Sequence, residues 1–485
     1  MQKVLYNIIN KEKGLVRRVT HNAAVIIIRR YIKMKKLTKG FAAAMAAVTV
    51  CGSLAGCGGS EPTPTASTNS EKPYEGVTLH YAVSESATQG GETQELVQLV
   101  KDKTGINIEF TIVPNTNAGE VDKALVSLMA GDELDILYGT DSKLKPYYSA
   151  GVLAPLDELA VNADYNMEEK FGENLASYGD GHVYGLPAFN DIWLTFYNKK
   201  IFDEAGVPYP SADDWTWEKY VETAKKLTDE SKGIYGSFML DYDNYNYMHA
   251  FQKGFKAYND DQTKSNFSDP LFKESLEWFY GLGNKEKIQP DSVTYAAGSY
   301  PWNSFVAGGK MGMFVCGGWV ASMLPDLEKY PRDWECGILP MPYPEGQEPS
   351  TLAVTGCYAV PTTSKNKDAA FAAIACIAEN QYTLGYGRIP ARVDLSDEEI
   401  TSYISDKLVP TFENDKFTVE EIKKAWFDPN RKVIPEKIIG PADTTINQII
   451  IEEAQLYGAG SKPIDEAIAS ITSRADAAIS EELGQ

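Results

Sequence analysis

Histidine is almost missing from this chain. Four occur in 485 residues (His21, His80, His182 and His249), scattered and without ligand spacing, which argues against a zinc centre. Cysteine is also scarce. Of six, Cys51 and Cys57 lie near the N-terminus; Cys316, Cys336, Cys357 and Cys376 follow at wide intervals. No C-x-x-C pair exists to bind a metal or cycle a disulfide. The four later cysteines sit in apolar contexts such as MFVCGG and AAIACIA, so buried thiols are the first reading. An oxidising compartment would also permit a disulfide, whose pairing stays open. There is no G-x-S-x-G nucleophile motif. Ala307-Gly-Gly-Lys-Met311 lacks the leading glycine and the Ser/Thr of a phosphate-binding loop. Asp241-Tyr-Asp243 opens like a calcium loop, but Tyr245 and Tyr247 break its oxygen spacing. No cofactor or metal is expected. Positive charge is in deficit: 46 Lys and Arg face 67 Asp and Glu, for a net charge of −21. Residues 1–56 hold eleven of those bases and one acid, Glu12, leaving the remainder near −31. A surface this acidic repels phosphate backbones and anionic lipid, so no nucleic-acid partner is expected.

What is present begins with MKKLTKGFAAAMAAVTVCGSLAGC, Met34 to Cys57. Lysines 35, 36 and 39 form a positive n-region. Phe41 to Val50 is apolar but too short to span a bilayer comfortably. Leu54-Ala-Gly-Cys57 closes the segment with small residues. This resembles the lipobox of bacterial lipoproteins, in which the chain is cut before a diacylated cysteine. The resemblance implies an export signal over 1–56 and a lipid anchor on Cys57 at the outer face of the cell membrane. The plainer alternative is an ordinary signal peptide with a chance cysteine. Translation starts either at Met34, with 1–33 an over-long reading, or at Met1, with an extended n-region. Gly58 to Pro73 is rich in Gly, Ser, Thr and Pro, which predicts a flexible tether over 57–76.

Beyond the tether the pattern alternates between strand and helix. Val77 to Val83 is β-prone, Thr93 to Lys103 has helical spacing, and Ile106 to Val113 is a second strand. A helix over Glu120 to Ala130 stops at Gly131, and Leu134 to Tyr138 is a third strand. This β-α-β-α-β start predicts a mostly parallel sheet covered by helices. His182 to Ala188 and Ile192 to Tyr197 read as two strands separated by Phe189-Asn190-Asp191. Asp214 reads as the N-cap of a helix over Trp217 to Thr228, anchored by Trp215 and Trp217. Further strands are expected at Met311 to Cys316, Cys336 to Pro340 and Ala353 to Val360. Helices are expected at Leu271 to Leu282, from Gly318-Trp319 to about Leu324, at Asp368 to Ala378, and in the tail at Asn447 to Gly458 and Ile464 to Glu482. All eight tryptophans lie at or after Trp193, which suggests two lobes of different surface chemistry.

YNKKIFDEAGVPYPSADDWTWEKYVETAKKLT (Tyr197 to Thr228) resembles the signature region of family 1 extracellular solute-binding proteins, the sugar-binding components of ABC importers. Gly131-Asp-Glu-Leu-Asp135 with Gly151 to Asp157, Val183-Tyr-Gly-Leu-Pro187, Gly308 to Met313 with Gly318-Trp319, Ser364 to Ala370, and Asp465 to Ile468 resemble other family segments in the same order. The likeness runs over nearly all of 77–485. It implies an α/β fold: a bilobed clamp with a multi-strand hinge. One lobe is expected at 77–189 plus 343–388, the other at 192–340 plus 392–485. It also implies a non-catalytic, monomeric protein that captures a carbohydrate, an oligosaccharide, and passes it to an ABC permease.

A sugar offers hydroxyls at its rim and C–H groups on its face. Its site therefore needs planar hydrogen-bonding groups and aromatic platforms, shielded from water. The resemblance puts an aromatic, Trp319, at the cleft and an acid, Asp191, at the crossover. Asp141 and Glu85 follow strands and lie at the carboxyl edge where ligands bind open α/β sheets. Arg388, near the last crossover, is a candidate to bridge a carboxylate and a hydroxyl. Trp302 and Tyr245 are further aromatic candidates, against packing between helices. Two rivals remain. One is a binding protein for a peptide or polyamine; the other is a surface glycoside hydrolase or lyase, which would need two carboxyls across a cleft.

Overall fold

In the computed structural model, residues 72–88, 91–113, 122–239, 242–298, 300, 303–385 and 388–484 are described, apart from the side chains of Ser86 and Asp141. The export signal, Cys57 and Trp302 lie outside these residues. Strand β1 (Thr78–Val83) runs parallel to β2 (Asn107–Ile112) and connects to it through helix α1 (Gly91–Thr104). Gly105 ends that helix at φ +81, where a Cβ would lie 2.8 Å from the Glu75 Cα. Helix α2 (Lys123–Ala130) is capped by Asp122, whose carboxylate accepts from the backbone N–H groups of Ala124 and Leu125. Its other end is closed by Gly131 at φ +92. The parallel start is short. Ile136 bridges parallel to Tyr81, but β3 (Leu137–Thr140) then pairs antiparallel with β9 (Ser350–Ala359), a strand from much later in the chain. Helix α3 (Asp141–Ser149) follows β3 directly, with Thr140 as its cap.

The large sheet is organised by β5 (Val183–Asn198), with β4 (Ala176–Ser177) antiparallel at its start. The expected break at Phe189-Asn190-Asp191 does not occur. Backbone pairing with β9 continues from Leu186↔Tyr358 to Ile192↔Ala353, and the irregularity is confined to a register shift between Pro187 and Phe189. The second half of β5 pairs with β7 (Met311–Gly317) on one side and β8 (Cys336–Pro340) on the other. Strand β6 (Tyr235–Phe238) lies parallel to β7, and β10 (Lys432–Pro435) lies parallel to β9. The sheet is therefore mixed, not mostly parallel.

The apolar cores divide along these two shared strands. Leu79, Val100, Ile106, Phe171, Leu186, Phe189, Tyr358 and Phe371 pack in one core, with a smaller cluster around Leu128, Leu144 and Cys357 beside it. From Ile192 along β5, and in other later segments, side chains such as Trp193, Phe196, Trp217, Phe314, Trp426 and Ile450 belong to another. Helix α4 (Trp217–Leu227) turns Trp217, Tyr220, Ala224 and Leu227 into that second core. Its N-cap is Thr216, which accepts from the Lys219 N–H; Asp214 stands at φ +54 and pairs with Lys219 instead. Helix α5 (Lys367–Asn380) covers the first core, and α6 (Asp443–Gly458) and α7 (Ile464–Glu482) serve the second. None of the four later cysteines forms a disulfide; all are buried. No helix among the described residues is long and apolar enough to cross a membrane.

Among the described residues, the second core encloses a charged pair with both members buried. Arg332 donates to Asp415 at 2.6 Å, and the other Asp415 oxygen accepts the Cys336 N–H at 2.7 Å. Their side chains are 2% and 0% exposed. Removing one member leaves the other charged in apolar surroundings. Asp415→Ala is expected to lower unfolding free energy by roughly 3–5 kcal/mol, measured by urea denaturation; a loss under about 1 kcal/mol would mean that water reaches the pair.

Candidate functional site

The division between cores falls on β5 next to Asp191, and charged residues collect there. The segment after Arg388 runs beside β5. The Asn190 N–H donates to the Ile389 carbonyl at 2.9 Å, and Phe189 bridges antiparallel to Pro390. This alignment sets Arg388 opposite Asp191. Arg388 Nη1 donates to Asp191 Oδ2 at 2.9 Å. Its Nε and Nη2 grip the two oxygens of Glu92 at 3.0 and 3.2 Å. The guanidinium also lies 4.2 Å from the Phe189 ring centre, a cation–π contact. Glu92 sits in the first turn of α1, where the helix dipole favours an anion, and accepts from Gln381 at 2.8 Å.

A second charged group follows β10. Its backbone ladder extends to Glu436, whose N–H donates to the Ala353 carbonyl at 2.9 Å. Glu436 accepts the Trp193 indole N–H at 2.8 Å. Lys437 lies 2.5 Å from Asp243 and 3.4 Å from Glu436. Asp191 is coupled to both groups: burial raises its pKa to about 6, against the pull of Arg388, with Glu92 and Glu436 adding repulsion.

Aromatic rings flank the charges. Trp319 opens a short 3₁₀ turn, Gly318–Met323, and is partly exposed. Its ring stands edge-on to Trp193 at 6.0 Å. Gly317 leaves room for the Trp319 ring, since a Cβ there would collide with the ring where it stands. A Cβ on Gly318 would come within 3.9 Å of Asp191 Oδ1, which places the turn over the carboxylate. On the other side Tyr138, 39% exposed, lies 6.1 Å from Phe189 and 5.2 Å from Tyr358. A cavity of about 340 Å³ adjoins the cluster, lined by Ser142, Asn174, Thr355, Glu436 and Lys437 among others. That volume is within the range of small-ligand sites. Lys145, on the same helix α3 as Ser142, crosses to the Gly440 carbonyl at 2.6 Å and to Asp443 at 3.5 Å.

The sequence candidates separate in space. Asp191 and Arg388 are in direct contact, and Trp319 is beside them. Tyr245 is fully buried; its hydroxyl donates to the Val315 carbonyl at 2.6 Å and its ring stacks on Phe279. It supports Trp193 and Tyr242 from behind. Glu85 is exposed at the end of β1, and no hydrogen bond among the described residues joins its side chain to the cluster. Asp141 begins α3 at the end of β3, with its side chain outside the description. Sequence reasoning missed Glu92, Glu436, Lys437, Tyr138 and Trp193. Only Glu92 carried a signal, as an acid at a helix start just past a strand's carboxyl end.

Because the Asp191 pKa is higher folded than unfolded, the folded state holds the extra proton between 3.8 and about 6. Stability attached to this group is present at low pH, falls as pH rises through that interval, and is level above it. The stability difference between Asp191→Asn and wild type is expected to shift in favour of the variant by up to about 3 kcal/mol across it. Urea unfolding at fixed ionic strength reads this; a pH-independent difference would mean that Asp191 is ionised throughout.

Comparisons with known proteins agree with this architecture. The diacetylchitobiose binding protein DasA of Streptomyces coelicolor is 24% identical over 343 residues, 67% of this chain and 75% of that protein. Among solved structures, an ABC substrate-binding protein from Listeria monocytogenes in complex with cycloalternan superposes with a TM-score of 0.66 at 21% identity, covering 84% of this chain and 99% of its own. The sugar-binding protein MalE from Xanthomonas citri gives 0.64 at 20% identity, covering 84% and 98%. These likenesses establish a bilobed α/β fold of the periplasmic-binding-protein kind. With residues 85–383 matching the family's profile, the chain belongs to the bacterial extracellular solute-binding proteins.

Proposed function

We propose that this protein captures a carbohydrate, an oligosaccharide, between its lobes and delivers it unchanged to an ABC import permease. The observation that carries this reading is the meeting of the Glu92–Arg388–Asp191 cluster with Trp319, Trp193 and Tyr138 where the cores divide. Carboxylates accept sugar hydroxyls, and rings receive the C–H faces. The names of the relatives, which bind diacetylchitobiose, cycloalternan and sugars, support the same class. The lobes are residues 77–189 plus 343–388 and 192–340 plus 392–485, working as a monomer held to the outer face of the cell membrane through Cys57. Ligand contacts on both lobes favour closure, and the permease takes the closed form. No bond is made or broken. The acidity of the cluster also suits a polyamine, the second reading.

Thermal unfolding across mono- and oligosaccharides, peptides and polyamines tests this. A ligand at 100 times its Kd adds about 2.7 kcal/mol. Stabilisation by one glycan series is expected; a shift with peptides or polyamines alone would sink the carbohydrate reading and spare the clamp. Trp319→Ala is expected to weaken binding of that glycan roughly 30-fold, measured by calorimetry. Unchanged affinity would place the ring outside the site.

A further inference from the structure

We infer that the cleft accepts uncharged and amine-bearing glycans and rejects those carrying carboxylate, sulfate or phosphate, an inference that rests on the carbohydrate reading above. The charges in the cluster carry it. Four carboxylates, Glu92, Asp191, Asp243 and Glu436, surround two cations. Arg388 has all three nitrogens committed, Nε and Nη2 to Glu92 and Nη1 to Asp191. Lys437 lies between Asp243 and Glu436. Lys145, on the helix beside the cavity, is held by the Gly440 carbonyl and Asp443. The residues outside the description within the folded region, 89–90, 114–121, 240–241, 299, 301–302 and 386–387, include no Lys or Arg, but they do include Glu120 and Asp241.

Among the described residues of the cluster and of the cavity lining, an anionic ligand therefore meets four carboxylates and two cations that are already paired. In a cleft closed from water that repulsion is weakly screened. A hydroxyl or an ammonium meets the opposite situation. Asp191 is 6% exposed. Its Oδ2 is taken by Arg388, while its Oδ1 accepts no hydrogen bond among the described residues and faces the Gly318–Trp319 turn. A carboxylate oxygen can accept more than one hydrogen bond, and a ligand O–H or N–H supplies a donor. A ligand carboxylate or phosphate brings acceptors to a site that already has an excess of them.

The test is capture from a defined mixture. The purified protein is incubated with neutral cello-, xylo-, malto-, arabino- and chito-oligosaccharides, chitosan oligomers, oligogalacturonides and sulfated oligosaccharides. After gel filtration, retained glycans are released by heat and identified by mass. Retention of a neutral or amino series is expected, with any acidic counterpart of equal length bound at least about tenfold more weakly. Retention of an acidic series, or affinities within tenfold of its neutral counterpart, would overturn the charge inference and leave the carbohydrate reading intact. Retention of nothing would overturn the carbohydrate reading itself. Glu436→Gln removes one of the four carboxylates and should narrow the neutral-to-acidic affinity ratio several-fold; a ratio that stays fixed would count against the inference.

Discussion

A single sixteen-residue strand has to serve two cores at once. The first half of β5 is paired to β9 and packs Leu186 and Phe189 into one core. The second half is sandwiched by β7 and β8 and packs Trp193 and Phe196 into another. Between these halves the side chains face neither core fully. Asp191 is placed there, and the later chain returns beside it at Arg388. A strand shared in this way holds the local geometry of the site steady while its flanking bodies have separate packing. Hinged clamps of this kind move about a few such connections, not by remaking cores.

The charged network uses that position. Arg388 bridges a residue of α1 to a residue of β5, and Glu436 reaches Trp193 from the end of β10, so segments far apart in sequence meet around Asp191. Taken alone, each buried carboxylate is unfavourable; together with two cations they are supported but not neutralised. Away from β5 and β9, the contact of Lys145 with Gly440 and Asp443 joins the bodies again. Both side chains of that ion pair remain over a fifth exposed, so its strength is that of a surface pair, at most about 1 kcal/mol. A weak join of this sort favours one arrangement without locking it.

Much of this was legible in the sequence because it is local. Helix α5, α7 and the second-core strands β7 and β8 follow directly from apolar periodicity. Asp191 and Arg388 each stand at a crossover in the sequence, and the structure sets them 2.9 Å apart. What could not be read is non-local. Phe189-Asn190-Asp191 has the polarity of a turn, and only the distant strand β9, where Asp191 pairs with Val354, makes it a strand. Tyr245 has the composition of a platform residue, yet Phe279 and Val315 enclose it. Asp214 precedes a helix as caps do, but Thr216 is two residues nearer and its hydroxyl reaches Lys219. Glu436 is one acid among 67 acidic residues until Trp193 is brought to it.

The four buried cysteines have a consequence for the life of the chain before it folds. Cys316 and Cys336 lie on strands flanking β5, Cys357 on β9 and Cys376 on α5. Once these elements assemble, burial holds the Cys376 thiol up at about 11 and raises the two second-core thiols, Cys316 and Cys336, well above their ordinary range. Native thiols of this kind are protonated, hidden and slow to oxidise. The unfolded chain has no such protection. In an oxidising compartment, four bare thiols would make folding a race between collapse and mispairing. There the speed of core formation, more than the final stability, would set the yield of intact protein.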